Sequence, residues 1–367
     1  MKTRNNVLIS HIGIPSDVIG SWNVLFTNLI DSDTSIFTHI ISPITVRKVD
    51  NINHIIVNEP TFATYKIGKI IKFYKNRVYW QALKKILIEN TATVTVVNVI
   101  DNIGVLLAID FLSKQEGFRN KLHINFFLHG YNFGNHVEKT KIYNSIDTLI
   151  LLTNLSYINQ IKNNHAIPCE VKLLRNGIDS AVFYPLEQLQ KSNLRKNLNL
   201  KSGKKYFLWV SQDRPKKGLK IVLKAWRKLT LNNPNIELIV IGTHSEIKEK
   251  QVIWIERMKN INLAKYYQAT DYYLFSTLCH EGHPLSLTEA LKCGAKCLAS
   301  NIDPISEVLH EGNLGILVDN PNFVSSWINS INYALNNDID FNKENVDLLK
   351  LYDFDQWSKE IKMIFNE

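Results

Sequence analysis

The sequence has few cysteines and no long apolar run. Its 367 residues include four cysteines, and no two of them form a C-x-x-C pair. This scarcity argues against a disulfide framework or a cysteine-bound metal centre and favours reduced, partly buried thiols. No stretch approaches the roughly 20 continuous apolar residues that span a bilayer. The apolar run Val7-Leu8-Ile9 is too short for the core of a secretion signal. We therefore expect a cytoplasmic protein.

Acidic residues are outnumbered by basic ones. The chain holds 43 Lys and Arg against 34 Asp and Glu, which gives a formal net charge of +9. This excess suits a phosphate-rich ligand, an anionic membrane surface or a nucleic acid, and it does not choose among them. The sequence contains no RNA- or DNA-reading motif, so only the net charge supports the alternative of a nucleic-acid-binding protein.

Short β-branched apolar runs alternate with helical patterns, which predicts βαβ units and parallel sheets. The strand candidates of the first half are residues 7–12, 37–42, 54–58, 93–99, 124–129 and 148–153. Those of the second half are residues 206–210, 237–241, 252–256, 272–276, 296–300 and 315–319. The predicted helices include residues 64–89, 103–115, 217–231 and 285–293.

These patterns predict two doubly wound α/β domains. We place a first Rossmann-like domain at residues 1–178 and a second at residues 179–352. Residues 353–367 form a final amphipathic helix that we expect to pack back on the first domain. Ligands of open α/β sheets bind at the carboxyl ends of the strands. The two domains are therefore expected to face each other across an interdomain cleft, which by itself gives no function.

One segment combines a buried strand, a loop and a helix start. Strand 272–276 leads into a loop with Glu281, and Pro284 precedes a helix that opens at about Leu285. A helix start at the carboxyl end of a strand is a ready anion site. Glu289 lies about one turn inside this helix, and carboxylates bind sugar hydroxyls well. The alternative for Glu289 is a capping box with Ser286.

The run from Glu281 to Ala290 resembles the E-x7-E signature of the family 4 retaining glycosyltransferases, which have the GT-B fold. The usual form reads roughly E-G-F-G-L-x-x-x-E-A, and here His283 and Pro284 replace the aromatic residue and the second glycine. The motif 176–179, Asn-Gly-Ile-Asp, resembles the segment by which this family enters its second domain. Lys217-Gly218 resembles the Lys-Gly that follows the first strand of that domain.

The first domain matches the family less well. His129-Gly130 ends a strand and resembles the histidine that the family places near the transferred sugar. Where the family often has a Gly-Gly loop after strand one, only Gly20 is available. The family's arginine before the Lys-Gly lysine is Gln212 here, and Arg214 follows two residues later.

The resemblance implies a role for each matched residue. Glu289 would hold the ribose hydroxyls, and Glu281 would hold hydroxyls of the donor sugar. Lys217, Arg214 and amides of the loop 282–286 would stabilise the departing diphosphate. The catalytic candidates are thus His129, Glu281, Lys217 and Arg214, and the donor-binding candidates are Glu289, Gly282, His283, Leu285, Ser286 and Gly20.

The implied activity is transfer of a hexose-type sugar, with retention, from a nucleotide-diphosphate sugar to a glycan or lipid-linked acceptor. The expected donors carry UDP or GDP, and neither a metal nor another cofactor is expected. Surface polysaccharide assembly is an association of the family. The alternative is a non-catalytic nucleotide-sugar- or glycan-binding protein with the same fold. A sugar-nucleotide epimerase or a phosphorylase fits the E-x7-E spacing less well.

Residues 64–88 contain seven basic residues and no acidic one. A basic amphipathic helix can lie on anionic lipid, so this segment predicts peripheral contact with the inner face of a membrane. The alternative is a helix packed into the domain with a solvated lysine edge.

Overall fold

The computed structural model describes residues 5–15, 21–44, 47–58, 68–89, 94–133, 139–163, 166–244, 249–337, 349–350 and 352–366. The chain forms two compact units. The first is Met1–Arg175 together with Ser358–Glu367, and the second is Asn176–Trp357. Where the predicted domains end at residues 178 and 352, the units change after Arg175 and after Trp357. Each unit is an α/β domain built on one parallel sheet.

The first unit contains a seven-stranded parallel sheet with the order β3-β2-β1-β4-β5-β6-β7. Its strands are β1 Asn5–Ile9, β2 His39–Ser42, β3 Asn53–Ile56, β4 Thr95–Ile100, β5 Leu122–Leu128, β6 Thr148–Leu151 and β7 Glu170–Leu173. The central strands are buried throughout because helices cover the faces of a parallel sheet. The order reverses at β1, which is the switch point of a doubly wound sheet.

The helices of the first unit follow the strands in the expected alternation. They are α1 Ser21–Ser32, α2 Gly68–Glu89, α3 Ile103–Gln115, α4 Lys139–Tyr143 and α5 Asn154–Lys162. Side chains cap two of them: Asn102 accepts from the amide of Val105 at the start of α3, and Thr153 accepts from that of Ser156 at the start of α5. These caps fix where each helix leaves the edge of the sheet.

The described side chains of α2 decide how this basic helix packs. Tyr79, Trp80, Leu83 and Ile86 are buried in the core of the first unit. Lys75, Arg77 and Lys85 are exposed. In this stretch α2 is therefore a packed helix with a solvated basic edge. Residues 64–67 lie outside the described part of the chain. No helix in the described residues is both long enough and apolar enough to cross a bilayer.

The second unit contains a six-stranded parallel sheet with the order β10-β9-β8-β11-β12-β13. Its strands are β8 Lys205–Val210, β9 Ile236–Ile241, β10 Val252–Ile255, β11 Tyr272–Phe275, β12 Lys296–Ser300 and β13 Gly315–Val318. Its helices are α6 Gln188–Asn197, α7 Leu219–Asn232, α8 Ala264–Ala269, α9 Leu285–Lys292, α10 Ile305–Val308 and α11 Val324–Asn336. The apolar faces of α7 and α11 pack with the strands into one core.

A last helix, α12, spans Phe354–Asn366. Its C-terminal half clusters with the first unit. There the ring of Phe365 lies 5.3 Å from that of Phe37, and Lys362 forms a 2.9 Å ion pair with Asp33. The aromatic contact is buried and the ion pair is more exposed, so apolar packing holds this half of the helix in place.

Candidate functional site

The loop between β11 and α9 has the strand–loop–helix form that the sequence predicts. Strand β11 ends at Phe275, Pro284 is the N-cap, and α9 begins at Leu285. The first intrahelical bond runs from the amide of Thr288 to the carbonyl of Pro284. The amides of residues 285–287 precede that bond, and such amides at a helix start can bind an anion at the edge of the sheet.

Glu281 lies in this loop and accepts from Lys217, from Thr277 and, at a longer distance of 3.9 Å, from the Cys279 thiol. Its Oε1 atom accepts from Lys217 Nζ at 2.5 Å and from Thr277 Oγ1 at 2.7 Å. The side chain of Glu281 is 18% exposed and that of Lys217 is 22% exposed. The structure therefore brings together two residues that lie 64 positions apart in the chain. The side chain of Glu281 therefore remains partly accessible to solvent.

The position of Lys217 is set by its own backbone and by Gly218. Gly218 has a φ of +73°, and a Cβ atom there would lie 2.0 Å from the carbonyl oxygen of Ser276. Ser276 Oγ donates to the Lys217 carbonyl at 2.8 Å, and the Leu278 amide donates to that of Lys216 at 2.7 Å. Only glycine allows so close an approach, so this residue docks the Lys217 loop on the end of β11.

Glu289 is buried inside α9, and its side chain is only 3% exposed. Asn260 Nδ2 donates to Glu289 Oε1 at 2.9 Å. Burial raises the pKa of this carboxyl group to about 7, and the Asn260 hydrogen bond opposes that rise. A capping box with Ser286 does not form, because the N-cap is Pro284 and Ser286 already lies within the helix. The carboxyl group of Glu289 therefore does not cap the start of α9.

His283 lies in the interior of the second unit. The residue is 3% exposed, and its ring centroid lies 5.2 Å from that of Tyr352. Its carbonyl oxygen accepts from the side-chain amide of Asn176 at 2.8 Å. The ring therefore packs within the unit, and the Asn176 contact holds the backbone next to Pro284. Asn176 opens the Asn-Gly-Ile-Asp segment, so this segment positions the loop before α9.

The remaining second-unit candidates surround the helix start. Gly282 and Ser286 are partly exposed, whereas Leu285 is buried. Arg214 is the N-cap of the short helix that carries Lys217, and it is exposed. Its side chain forms no ion pair with any residue that the structure describes. The described side-chain contacts join Glu281 to Lys217 and do not include Arg214.

The carboxyl ends of three neighbouring strands, β1, β4 and β5, lie side by side in the first unit. His11 follows β1, Asp101 follows β4 and His129 follows β5. The ring of Trp22 lies 6.0 Å from that of His11 and 5.9 Å from that of His129. The His129 amide donates to Asp101 Oδ1 at 3.3 Å. Gly20, the remaining candidate of this unit, lies outside the described residues.

The electrostatics of this edge favour a neutral imidazole. Burial lowers the pKa of His129 to about 3, and it raises that of Asp101 to about 6. Although His129 as a residue is partly exposed, its Nε2 atom is buried and has no hydrogen-bond partner among the described residues. A neutral imidazole can donate or accept a hydrogen bond, but it does not supply a positive charge.

Sequence reasoning missed several of these contacts. Thr277, which donates to Glu281, stands next to the strand end, and a search for polar residues after β11 could have found it. Asn260, Asp101 and Trp22 reach the candidate sites only through the tertiary structure. No short sequence motif marks them.

Residues 190–347 match the family model described as Glycosyl transferases group 1. The matched segment contains Lys217, Glu281 and Glu289. It covers most of the second unit and none of the first.

Curated relatives match parts of the chain. The lipopolysaccharide 1,2-N-acetylglucosaminetransferase of Salmonella typhimurium is 26% identical over 183 residues, which are 45% of this chain and 47% of that protein. The UDP-Gal:alpha-D-GlcNAc-diphosphoundecaprenol alpha-1,3-galactosyltransferase of Escherichia coli is 26% identical over 201 residues, half of each chain. The chain thus spans about half the length of these relatives.

Solved structures match almost the whole chain. Sucrose-phosphate synthase from Thermosynechococcus elongatus has a TM-score of 0.78 at 15% identity, covering 99% of this chain and 98% of that one. The Anabaena protein HepE in complex with UDP and glucose has a TM-score of 0.73 at 14% identity, covering 99% and 100%. These similarities show the fold: two Rossmann-like domains as in GT-B glycosyltransferases. The predicted α/β fold class is confirmed.

Proposed function

We propose that this protein is a retaining glycosyltransferase of the family 4 type, which moves a hexose-type sugar from a nucleotide-diphosphate sugar to a glycan or lipid-linked acceptor. The observation that carries this proposal is the arrangement around α9. Glu281 stands before the helix in contact with Lys217, and Glu289 lies eight residues later in its interior. The family model and the relatives named glycosyltransferases support the general activity.

The diphosphate of the donor binds at the start of α9. Amides of residues 282–286 and the ammonium group of Lys217 face the developing negative charge as the sugar leaves. Charge stabilisation that is strongest in the transition state lowers the barrier, and one such donor is worth roughly 10²–10³ in rate. Lys217 also donates to Glu281. This contact orders the lysine side chain next to the helix start.

The two glutamates hold different parts of the donor. Glu289 binds the ribose hydroxyls, because an ionised carboxylate accepts several hydrogen bonds. Glu281 binds hydroxyls of the transferred sugar. His129 is assigned to orient the sugar through a neutral imidazole. Retention is assigned to attack by the acceptor on the face of the sugar from which the diphosphate leaves. No side chain is assigned as a general base.

The acceptor is proposed from the names of the relatives. One is a lipopolysaccharide glycosyltransferase, and another acts on a diphosphoundecaprenol-linked sugar. We therefore place this protein in surface polysaccharide or glycolipid assembly, in the cytoplasm, with the basic edge of α2 as a peripheral contact to the inner face of the membrane. HepE is seen with UDP and glucose, which supports a nucleoside diphosphate, UDP or GDP, as the donor's carrier.

Thermal unfolding with candidate donors tests this proposal. Wild type, Glu289→Ala and the exposed-residue control Glu89→Ala are heated with UDP-, GDP-, ADP- and CMP-linked sugars and with UDP and GDP. A ligand that binds the folded state raises the melting temperature with its concentration. We expect a rise with UDP or GDP compounds that is retained in Glu89→Ala and lost in Glu289→Ala.

Product analysis with glycan and lipid-linked acceptors then separates the two functions. Transfer with retained anomeric configuration supports the enzyme. Donor binding without turnover on any acceptor points instead to a nucleotide-sugar-binding protein. An equal rise in melting temperature in wild type and Glu289→Ala contradicts the assigned donor site.

A further inference from the structure

Asn260 donates a side-chain hydrogen bond to the buried carboxyl group of Glu289. It begins the short helix Asn260–Leu263, which follows β10, whereas Glu289 lies on α9 after β11. The two residues are therefore neighbours in space and 29 positions apart in the chain. Asn260 is partly exposed and Glu289 is 3% exposed, so a residue near the surface donates to a carboxyl group in the interior.

The surroundings of Glu289 do not favour a negative charge. The titratable groups that face it are Tyr267 from α8, Tyr273 from β11 and Cys293 after α9. Burial raises the pKa of each of these groups, so all three are neutral near pH 7. None of them supplies a positive charge to offset the cost of burying a carboxylate. The groups that favour the ionised form are then the Asn260 amide, which has the larger effect on the pKa of Glu289, and the Tyr267 hydroxyl.

We propose that Asn260 is a positioning residue, which holds the Glu289 carboxylate ionised and oriented for the ribose of the donor. The inference rests on the proposed function for its ligand, because that function assigns the ribose to Glu289. Asn260 occupies Oε1, and the second oxygen, Oε2, is the atom that we assign to a ribose hydroxyl. A carboxyl group that lost this donor would take up a proton more readily and would lose part of its capacity to accept.

The first test needs no ligand. Urea unfolding is measured from pH 5 to pH 9 for wild type, Asn260→Ala, Glu289→Gln and the double variant. We expect Asn260→Ala to raise the pH at which the Glu289-dependent loss of stability levels off by about one unit, which corresponds to a tenfold change in the proton affinity of the folded state. In the Glu289→Gln background, Asn260→Ala should have the same effect at every pH. A pH-independent effect in both backgrounds would overturn the inference and leave Asn260 a purely structural role.

The second test measures UDP and GDP binding by calorimetry at pH 6, 7.5 and 9. Asn260→Ala should weaken binding by nearly tenfold at pH 6, by about threefold at pH 7.5 and hardly at all at pH 9, where Glu289 is ionised in both proteins. Asn260→Gln keeps an amide donor and should restore part of the affinity. Equal weakening at all three pH values would contradict positioning. If neither nucleotide binds wild type, the proposed function fails, while the unfolding data still decide whether Asn260 controls Glu289.

Discussion

Lys217 Nζ lies 2.5 Å from Glu281 Oε1, although the two residues come from different loops of the second unit. Lys217 is carried by the short helix before α7, and Glu281 lies in the loop before α9. Both loops follow neighbouring strands, β8 and β11. The parallel sheet thus brings a cation, a carboxylate and a helix start to one edge, where we propose that the nucleotide-diphosphate sugar binds.

Replacing Lys217 by alanine should reduce turnover by about 100-fold or more, because the departing diphosphate loses a positive charge. The free energy of unfolding should change by less than about 1 kcal/mol, since the ion pair with Glu281 is partly exposed. Steady-state transferase assays and urea unfolding measure the two effects. The adjacent and exposed Lys216 provides the control: Lys216→Ala should retain most of the activity. Equal losses in both variants would mean that general positive charge, and not this lysine, supports the reaction.

Gly218→Ala should destabilise the second unit by more than about 2 kcal/mol. The new Cβ would meet the Ser276 carbonyl oxygen at 2.0 Å on top of a φ of +73°. Gly203 has a φ of +75°, and a Cβ atom added there would have nothing within 4 Å, so Gly203→Ala isolates the backbone cost. That control should lose only about 1 kcal/mol. Chemical denaturation compares the two, and similar losses would show that the contact with Ser276 is unimportant.

Glu289→Gln should make the protein more stable at pH 8 and no more stable at pH 4. The folded-state pKa of Glu289 is raised to about 7 from an ordinary value of 4.5. Below pH 4.5 the carboxyl group is protonated in both the folded and the unfolded state, and the free energy of unfolding has its full value. As the pH rises from 4.5 to 7, the free energy of unfolding falls, because the unfolded state releases the proton more readily than the folded state does. The gain at pH 8 is at most on the order of 3 kcal/mol. Urea unfolding at both pH values measures it. A destabilised variant at pH 8 would contradict the burial cost, and donor binding should be lost in either case.

His129→Phe should lower turnover while leaving its pH dependence between pH 5 and 8 unchanged. The low pKa of His129, about 3, keeps the imidazole neutral over this range. Phenylalanine preserves the ring contact with Trp22 but removes the hydrogen-bonding nitrogen atoms. His123 on the same strand serves as a control, and His123→Gln should remain active. A wild-type activity profile with a step near pH 6.5 that disappears in His129→Phe would show that this histidine titrates during turnover.

Chelation by EDTA should leave turnover unchanged, because Lys217 and the amides of α9 are proposed to neutralise the leaving group. Transferase assays with EDTA, and with EDTA followed by Mg²⁺ or Mn²⁺, measure this. Loss of activity that either metal restores would assign part of the charge stabilisation to a bound cation.

Local sequence signals predicted most of the sheet and failed where an element depends on distant contacts. Strand β7 was not predicted, because Glu170–Leu173 is a short edge strand with exposed ends. Helix α6 was missed because it buries no residue and its sequence is strongly polar. Lys191 and Arg195 on this helix reach Asp271 at the start of β11, which explains its place on the second unit.

The sequence by itself determined the α/β alternation and the strand–loop–helix around Glu281. These features follow from periodicity and from backbone preferences that act over a few residues. Only the tertiary structure decided that Glu281 contacts Lys217 and Thr277, that Asn260 holds Glu289, and that the ring of His283 is buried against Tyr352. Such contacts join residues from different strands and helices. Their hydrogen bonds and burial exist only once the sheet has placed those elements side by side.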